Sequence, residues 1–172
     1  MTASHKLLGL RIGEHDSNLS YFDGSQVHYL KFERKFQIKH FGLEPINLWE
    51  DVIKEEFNIT SKDLDEIALV FDSWMYGFDT TNESFFPSII YDSFPASCPV
   101  VRVNHHYAHH LSCWPIVKDP HTYNGICIDG FGDYDKAWTV FKQNQIINEG
   151  LVNKNGSIGV GMASLGKLFD IK

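Results

Sequence analysis

The first part of the chain alternates hydrophobic and polar residues with the period of a β-strand. The pattern predicts strands over 6–13, 19–22 and 26–33, which are joined by polar turns. The second turn contains Asp23-Gly24, a sequence that favours tight hairpins. Three successive strands joined by tight turns predict an antiparallel meander at the start of the fold.

The spacing of hydrophobic residues then changes to that of a helix, over 45–57. A short helical connection from Ser61 and a buried strand over 66–71 are predicted to follow. The aromatic segment 73–97 has no clear period, so we interpret it as a long covering or functional loop.

The second half of the chain again begins with a strand, over 99–103. The elements predicted after it are a helix over 105–114 that ends near Pro115, strands over 123–129, 137–142 and 145–151, a glycine-rich run over 156–161, and a helix from about Met162. This order predicts an α/β fold with a mixed central sheet. A length of 172 residues fits one domain, or one domain and an unfinished second.

Four of the nine histidines fall in the run His105-His106-Tyr107-Ala108-His109-His110. On a helix, residues four apart lie on one face, so either His105 with His109 or His106 with His110 has the spacing for binding one metal ion. Asp129 follows an apolar strand and is suited to supply an oxygen ligand. A polar helix start beside an ordinary Asp-Gly turn explains the same residues without a metal, and the pattern alone leaves both interpretations open.

Composition narrows the classes of partner. Fifteen basic residues against 22 acidic ones give a formal charge of −7, which argues against a broad nucleic-acid surface. Three scattered cysteines without a CxxC motif are typical of a reducing compartment. No stretch approaches the roughly 20 apolar residues of a membrane span. We therefore expect a cytoplasmic protein that does not bind membranes.

Five motifs in order along the chain resemble those of the NodU/CmcH/TobZ-type O-carbamoyltransferases. They are Gly13-Glu14-His15-Asp16-Ser17, Phe32-Glu33-Arg34 with Lys39-His40, His105-His106-Tyr107-Ala108-His109, Ile128-Asp129-Gly130-Phe131-Gly132 and Ser157-Ile158-Gly159. The resemblance covers nearly the whole chain.

The resemblance implies a Kae1-like half-domain of the ASKHA fold (actin, sugar kinase, Hsp70), with a mixed central sheet that starts in an antiparallel meander. It also implies an activity. Family members use carbamoyl phosphate and ATP to form a carbamoyl-adenylate, and then transfer the carbamoyl group to a hydroxyl of a small-molecule or sugar-like acceptor. The adenylate is formed by a second, YrdC-like domain, and the Kae1-like domain carries out the transfer.

The resemblance also assigns residues to a metal site. His105, His109 and Asp129 match the family's metal ligands, with Fe(II) the implied ion and zinc a substitute. His106 and His110 then become neighbours of the site. At the position of His110 the family usually has a small residue.

Other matched positions are implied to act on the substrates. His15 is suited to be the general base that takes the proton of the acceptor hydroxyl, and Asp16 to fix its tautomer. His15 and Lys39 would bind substrate oxygens. Glu33-Arg34 is predicted to be an internal ion pair that shapes the cleft.

Family members run for several hundred residues, so we expect 1–172 to be an N-terminal part that lacks the second half of the Kae1-like domain, a further Asp ligand and the YrdC-like domain. Such a chain would be inactive alone. Two alternatives stay open. One is a metal- or nucleotide-binding module of a split enzyme that works with a separate chain carrying the missing half. The other is a Kae1-type tRNA threonylcarbamoyl-transfer protein.

Overall fold

The computed structural model of the protein describes four stretches of the chain, residues 5–13, 15–42, 49–71 and 97–168. The chain divides into two compact units, Met1–Val103 and Asn104–Lys172. The loop predicted over 73–97 lies, apart from Ser97, outside the described residues. Among the helices of the described stretches, none combines the length and the apolar character needed to span a membrane.

The first unit contains a five-stranded mixed sheet. Its strands are β1 (Leu7–Ile12), β2 (Asn18–Phe22), β3 (Val27–Lys31), β4 (Glu66–Phe71) and β5 (Val100–Arg102). The spatial order is β3-β2-β1-β4-β5, in which β1, β2 and β3 pair antiparallel, whereas β4 pairs parallel with both β1 and β5. The predicted meander and the mixed α/β class are therefore confirmed.

The core of the first unit follows from the alternation in its strands. Every second residue of β1 is buried, and these side chains are Leu8, Leu10 and Ile12. Two helices are described in this unit, α1 (Phe32–Phe36) and α2 (Trp49–Phe57). The part of the predicted helix that precedes Trp49 lies outside the described residues. Trp49 and Ile53 of α2 are fully buried in the same core cluster as β1. A 3-10 turn over Ser61–Asp63 leads from α2 towards β4.

The predicted third strand is too long at its end. It stops at Lys31, and Phe32 and Glu33 belong to α1. The side chain of Phe32 is fully buried, and its backbone N–H donates to the carbonyl of Ser17 at 3.1 Å. Burial of this aromatic ring turns the chain inwards, which the alternating pattern does not reveal.

The second unit contains a three-stranded antiparallel sheet in the order β6-β7-β8. Its elements are α3 (His105–Ser112), β6 (Asn124–Ile128), β7 (Lys136–Lys142), β8 (Gln145–Leu151), α4 (Val152–Asn155) and α5 (Ile158–Leu168), with 3-10 turns over Trp114–Ile116, Pro120–Thr122 and Asp133–Asp135. Helix α3 packs against β6 and β7. The predicted helix over 105–114 thus ends two residues early, because Pro115 lies in the first of these turns.

The predicted start of the last helix is also wrong. Helix α5 begins at Ile158 rather than near Met162. The Ser157 hydroxyl accepts a hydrogen bond from the backbone N–H of Val160 at 3.2 Å, which is the contact of an N-cap residue. Gly159 and Gly161 of the glycine-rich run are therefore part of the helix, whereas Gly156 precedes it.

Candidate metal centre

Two side chains fix the start of helix α3. The carboxamide oxygen of Asn104 accepts from the backbone N–H of Tyr107 at 3.0 Å, as an N-cap does. The carboxylate of Asp133 accepts from the backbone N–H of His105 at 2.8 Å, although 28 residues separate the two. Asp133 is a buried residue that no sequence pattern selects. Its contact anchors the helix next to the strand that leads to Asp129.

His105 and His109 lie one helical turn apart and direct their rings to the same place. Their Nε2 atoms are 3.1 Å apart, and their ring centroids are 4.9 Å apart. Asp129 follows β6 and completes the cluster. Its Oδ2 lies 2.7 Å from His105 Nε2 and 3.4 Å from His109 Nε2. Within the described ranges, this trio is the group of His, Cys, Asp and Glu side chains whose ligand atoms converge, all within 4.8 Å of one another.

These distances can be compared with those in a metal site. Bonds of about 2.1 Å place neighbouring ligand atoms about 3.0 Å apart at right angles and about 3.4 Å apart at tetrahedral angles. The separations of 3.1 and 3.4 Å match, and the separation of 2.7 Å is a few tenths shorter. The three side chains therefore fit a divalent ion with a small movement of His105 or Asp129.

The Asp129 carboxylate lies at the centre of the cluster, which is open on one side. Hydrogen bonds from His105 and then His109 hold the pKa of Asp129 well below its usual range, against the opposing effect of burial. The side chain of His105 is 13% exposed, whereas that of His109 is 56% exposed. A cavity of about 490 Å³ opens beside His109 and Asp129, between the end of α3 and strand β6. A ligand can reach the cluster from this side.

The backbone at Asp129 is held from two directions. Its N–H donates to the carbonyl of Ala137 on β7 at 3.0 Å. The Ser157 hydroxyl lies 3.0 Å from the carbonyl oxygens of both Asp129 and Gly130. Gly159, in the first turn of α5, packs against the backbone of Gly130 so closely that a Cβ there would lie 2.7 Å from the Gly130 Cα. The start of α5 therefore fixes the position of the carboxylate.

The other histidine pair, His106 and His110, contacts strand β7 and the turn after it. His106 is 1% exposed, and its Nδ1 lies 2.7 Å from the Thr139 hydroxyl on β7. Burial lowers the pKa of His106. His110 stacks on Phe141, with ring centroids 4.4 Å apart, and its Nε2 lies 2.8 Å from the carbonyl oxygen of Gln143. Both rings are engaged by β7 and the turn after it, so the pair that faces Asp129 is His105 with His109.

The residues predicted to act on substrates lie in the first unit. His15 and Asp16 follow β1, and the structure brings them together, with His15 Nδ1 and Asp16 Oδ2 2.8 Å apart. Lys39 is exposed. The predicted pairing of Glu33 with Arg34 needs correction, because the cation that pairs with the Glu33 carboxylate is the ammonium of Lys31, at 3.2 Å. Lys31 ends β3 and points back towards the turn after β1.

Asp133 and Thr139 contact the histidines of helix α3, but the sequence analysis did not predict either residue as part of this site. Thr139 did carry an indication, because it is a polar residue at an inward-facing position of an alternating strand, between Ala137 and Phe141. Such a position calls for a buried hydrogen-bond partner. Asp133 lies in a Gly-Asp-Tyr-Asp segment that has the composition of an ordinary turn, so no comparable indication existed for it.

The sequence matches no protein-family model and none of the curated proteins. Among solved structures, it is similar to YeaZ from Pseudomonas aeruginosa, with 13% identity and a TM-score of 0.46 over 85% of this chain and 66% of that one. It is also similar to the Aquifex aeolicus Ppx/GppA phosphatase, with 13% identity and a TM-score of 0.48 over 96% of this chain and 55% of that one. The chain thus spans two thirds or less of these structures, and likeness at such identities and TM-scores assigns it neither a family nor an activity.

Proposed function

We propose that this chain is the metal-binding N-terminal part of an O-carbamoyltransferase with a Kae1-like, ASKHA-type architecture. The observation that carries the proposal is the convergence of His105 Nε2, His109 Nε2 and Asp129 Oδ2 within 4.8 Å. Two imidazoles and one carboxylate with free coordination positions are the donor set of non-haem Fe(II) sites, which zinc also accepts. Fe(II) is therefore the proposed ion.

The positions of the motifs support the same proposal. His15-Asp16 and Asp129-Gly130 each follow the first strand of an antiparallel meander, β1 in one unit and β6 in the other. Ser157 caps helix α5, and its hydroxyl also donates a hydrogen bond to the backbone carbonyl of Asp129. A mixed sheet that begins in a meander is what the ASKHA resemblance implies. Motifs matched by sequence alone thus occupy strand ends and helix starts, where functional side chains are commonly placed.

In the proposed reaction, carbamoyl phosphate and ATP form a carbamoyl-adenylate with release of phosphate and pyrophosphate. The carbamoyl group then passes to an acceptor hydroxyl, with AMP as the leaving group. His105, His109 and Asp129 would hold the ion, which when bound polarises a carbonyl or phosphoryl oxygen. The side chain of His15 is 55% exposed, so its ring is accessible to an acceptor. With Nδ1 held by Asp16, its Nε2 is the atom that takes the hydroxyl proton. Lys39 would bind substrate oxygens as a point charge.

Label transfer from carbamoyl phosphate that carries a radioactive carbon tests the proposal. The chain is incubated with ATP, Fe(II), a YrdC-like adenylate-forming protein, a chain carrying a C-terminal Kae1-like half, and a panel of sugar-like hydroxyl compounds. We expect a labelled acceptor whose formation falls by at least about 100-fold in the double variant His105→Ala/His109→Ala, as metal ligation requires.

The matched control for this assay is His5→Ala. It removes an exposed histidine that also lies beside a carboxylate, with His5 Nδ1 3.6 Å from Asp65 Oδ2, and it should leave the transfer unchanged. Transfer that survives the double substitution contradicts the proposal. Tight tRNA binding by the chain, with threonylcarbamoyl transfer in place of carbamoyl transfer, would favour the Kae1-type alternative instead.

A further inference from the structure

A closed ring of contacts surrounds His15 in the first unit. His15 Nδ1 lies 2.8 Å from Asp16 Oδ2, and Asp16 Oδ1 lies 2.9 Å from the ammonium of Lys31. The same ammonium lies 3.2 Å from Glu33 Oε2, while Glu33 Oε1 accepts from the backbone N–H of His40 at 2.6 Å. The His40 ring then meets the His15 ring edge-on, with centroids 6.1 Å apart. Lys31 is the cation that joins the two carboxylates of this ring.

The backbone at Asp16 makes the first of these contacts possible. Side chains of adjacent residues usually point apart in extended chain, but Asp16 has a left-handed conformation with φ of 57°. The carboxamide of Asn18 donates to the Asp16 carbonyl at 2.8 Å and holds that conformation. A left-handed non-glycine residue is strained and persists where its surroundings determine it. Here the conformation turns the carboxylate towards the ring of its neighbour.

We propose that Lys31 is a positioning residue for His15: by binding Asp16 Oδ1 it keeps Oδ2 on His15 Nδ1, so that the imidazole carries its proton on Nδ1 and exposes the lone pair of Nε2. That this lone pair takes a proton from an acceptor rests on the function proposed above. The expected Nδ1–H tautomer of His15 does not depend on that function.

The electrostatics of the cluster support this role. Lys31, followed by His15, lowers the pKa of Asp16 through side-chain hydrogen bonds, so the carboxylate is ionised and acts as an acceptor for both. Without the ammonium, Asp16 and Glu33 would lose the cation that they share. Asp16 would then be free to rotate away from the imidazole.

Imidazole 15N NMR of the full 172-residue chain tests the proposal, because the 15N shifts distinguish the two neutral tautomers. The spectra are recorded at about pH 9, where imidazole side chains are generally neutral. A His15→Gln variant assigns the resonance among the nine histidines. We expect the Nδ1–H form to dominate in the parent protein. In Lys31→Met the ratio of Nδ1–H to Nε2–H should fall by about twofold to fivefold, the range that exposed charge pairs set.

The matched control is Lys35→Met. Lys35 also pairs with two carboxylates of the first unit, Glu55 and Glu56, but touches neither His15 nor Asp16 in the described contacts. It should leave the His15 tautomer unchanged, whereas Lys31→Arg should retain the parent ratio because it keeps a cation. If Lys31→Met does not fold, Lys31→Gln takes its place.

An unchanged tautomer ratio in Lys31→Met, or an equal fall in Lys35→Met, overturns the proposal. The proposed role of His15 as the general base fails by a different result, which is that His15→Ala leaves carbamoyl transfer intact. In that case a tautomer shift in Lys31→Met would still show that Lys31 positions His15, and only the use of Nε2 as a base would be lost.

Discussion

Substitution of Gly159 by alanine tests how strongly the packing of helix α5 determines the position of Asp129. A Cβ at Gly159 would lie 2.7 Å from the Cα and 2.8 Å from the nitrogen of Gly130, the residue after Asp129. To restore an ordinary contact of 3.4 Å, the Gly130 Cα must retreat by 3.4 − 2.7 = 0.7 Å. Since metal–ligand distances tolerate only about 0.2 Å, such a displacement matters at the adjacent ligand.

The matched control lies two residues along the same helix. A Cβ at Gly161 meets nothing within 4 Å. Both substitutions gain about 1 kcal/mol of helix propensity, but Gly159→Ala also carries an overpacking cost of about 1–3 kcal/mol. The free energy of unfolding should therefore be lower in Gly159→Ala than in Gly161→Ala by about 1–3 kcal/mol.

Urea denaturation followed by circular dichroism measures that difference, and a metal titration measures the second consequence. The displaced Asp129 backbone should weaken metal binding by about 10- to 100-fold in Gly159→Ala, as loss of supporting contacts does, and leave it unchanged in Gly161→Ala. If the two variants are equally stable and bind metal equally well, the close packing of α5 on the strand end does not position the carboxylate.

Three further predictions concern the surroundings of the cluster. Thr139→Val keeps the shape of the side chain but leaves the buried Nδ1 of His106 without its partner, so urea denaturation should show a loss of about 1–3 kcal/mol; an unchanged midpoint would contradict it. The lowered pKa of Asp129 gives stability that is fully present above about pH 4 and is lost as pH falls through the folded value. The difference in unfolding free energy between the parent and Asp129→Asn, measured with chelator present, should therefore shrink below that pH, and a constant difference would count against the paired carboxylate. Burial raises the pKa of the Cys127 thiol to about 11, whereas Cys113 is exposed, so mass spectrometry after brief iodoacetamide treatment at about pH 8 should find Cys113 modified first; the reverse order would contradict the placement of the two thiols.

Strands β1, β2 and β7 could be predicted from sequence because buried side chains alternate with less buried ones along them. Strand β4 has the predicted bounds, and so does β8. The end of β3 could not be predicted, since Phe32 continues the apolar pattern while its ring serves the core from a helix. The prediction starts helix α5 too late because glycines such as Gly159 are typical of loops. The contact of Gly159 with Gly130 is a tertiary contact, so local helix propensity cannot predict it.

The candidate site, too, could be predicted from sequence only in part. Helical spacing alone could propose His105 with His109 but could not choose between that pair and the next one along. The choice depends on where strand β7 lies, because Thr139 and Phe141 engage His106 and His110. The contact between Asp133 and the first turn of α3 spans 28 residues, and nothing in the spacing of those residues predicts it. The pattern of residue types therefore does not predict which distant backbone segments come together at the site.

Metal binding by the purified chain is the most direct test of the central claim. Anaerobic titration with Fe(II), and separately with Zn²⁺, should give one bound ion per chain, with proton release because His105 and His109 must be neutral to ligate. Binding should be abolished in His105→Ala/His109→Ala, weakened in Asp129→Asn, and unchanged in His5→Ala. One ion bound with equal affinity by the parent and the double variant, or no ion bound by the folded parent, would contradict the assignment of these three side chains to a metal site.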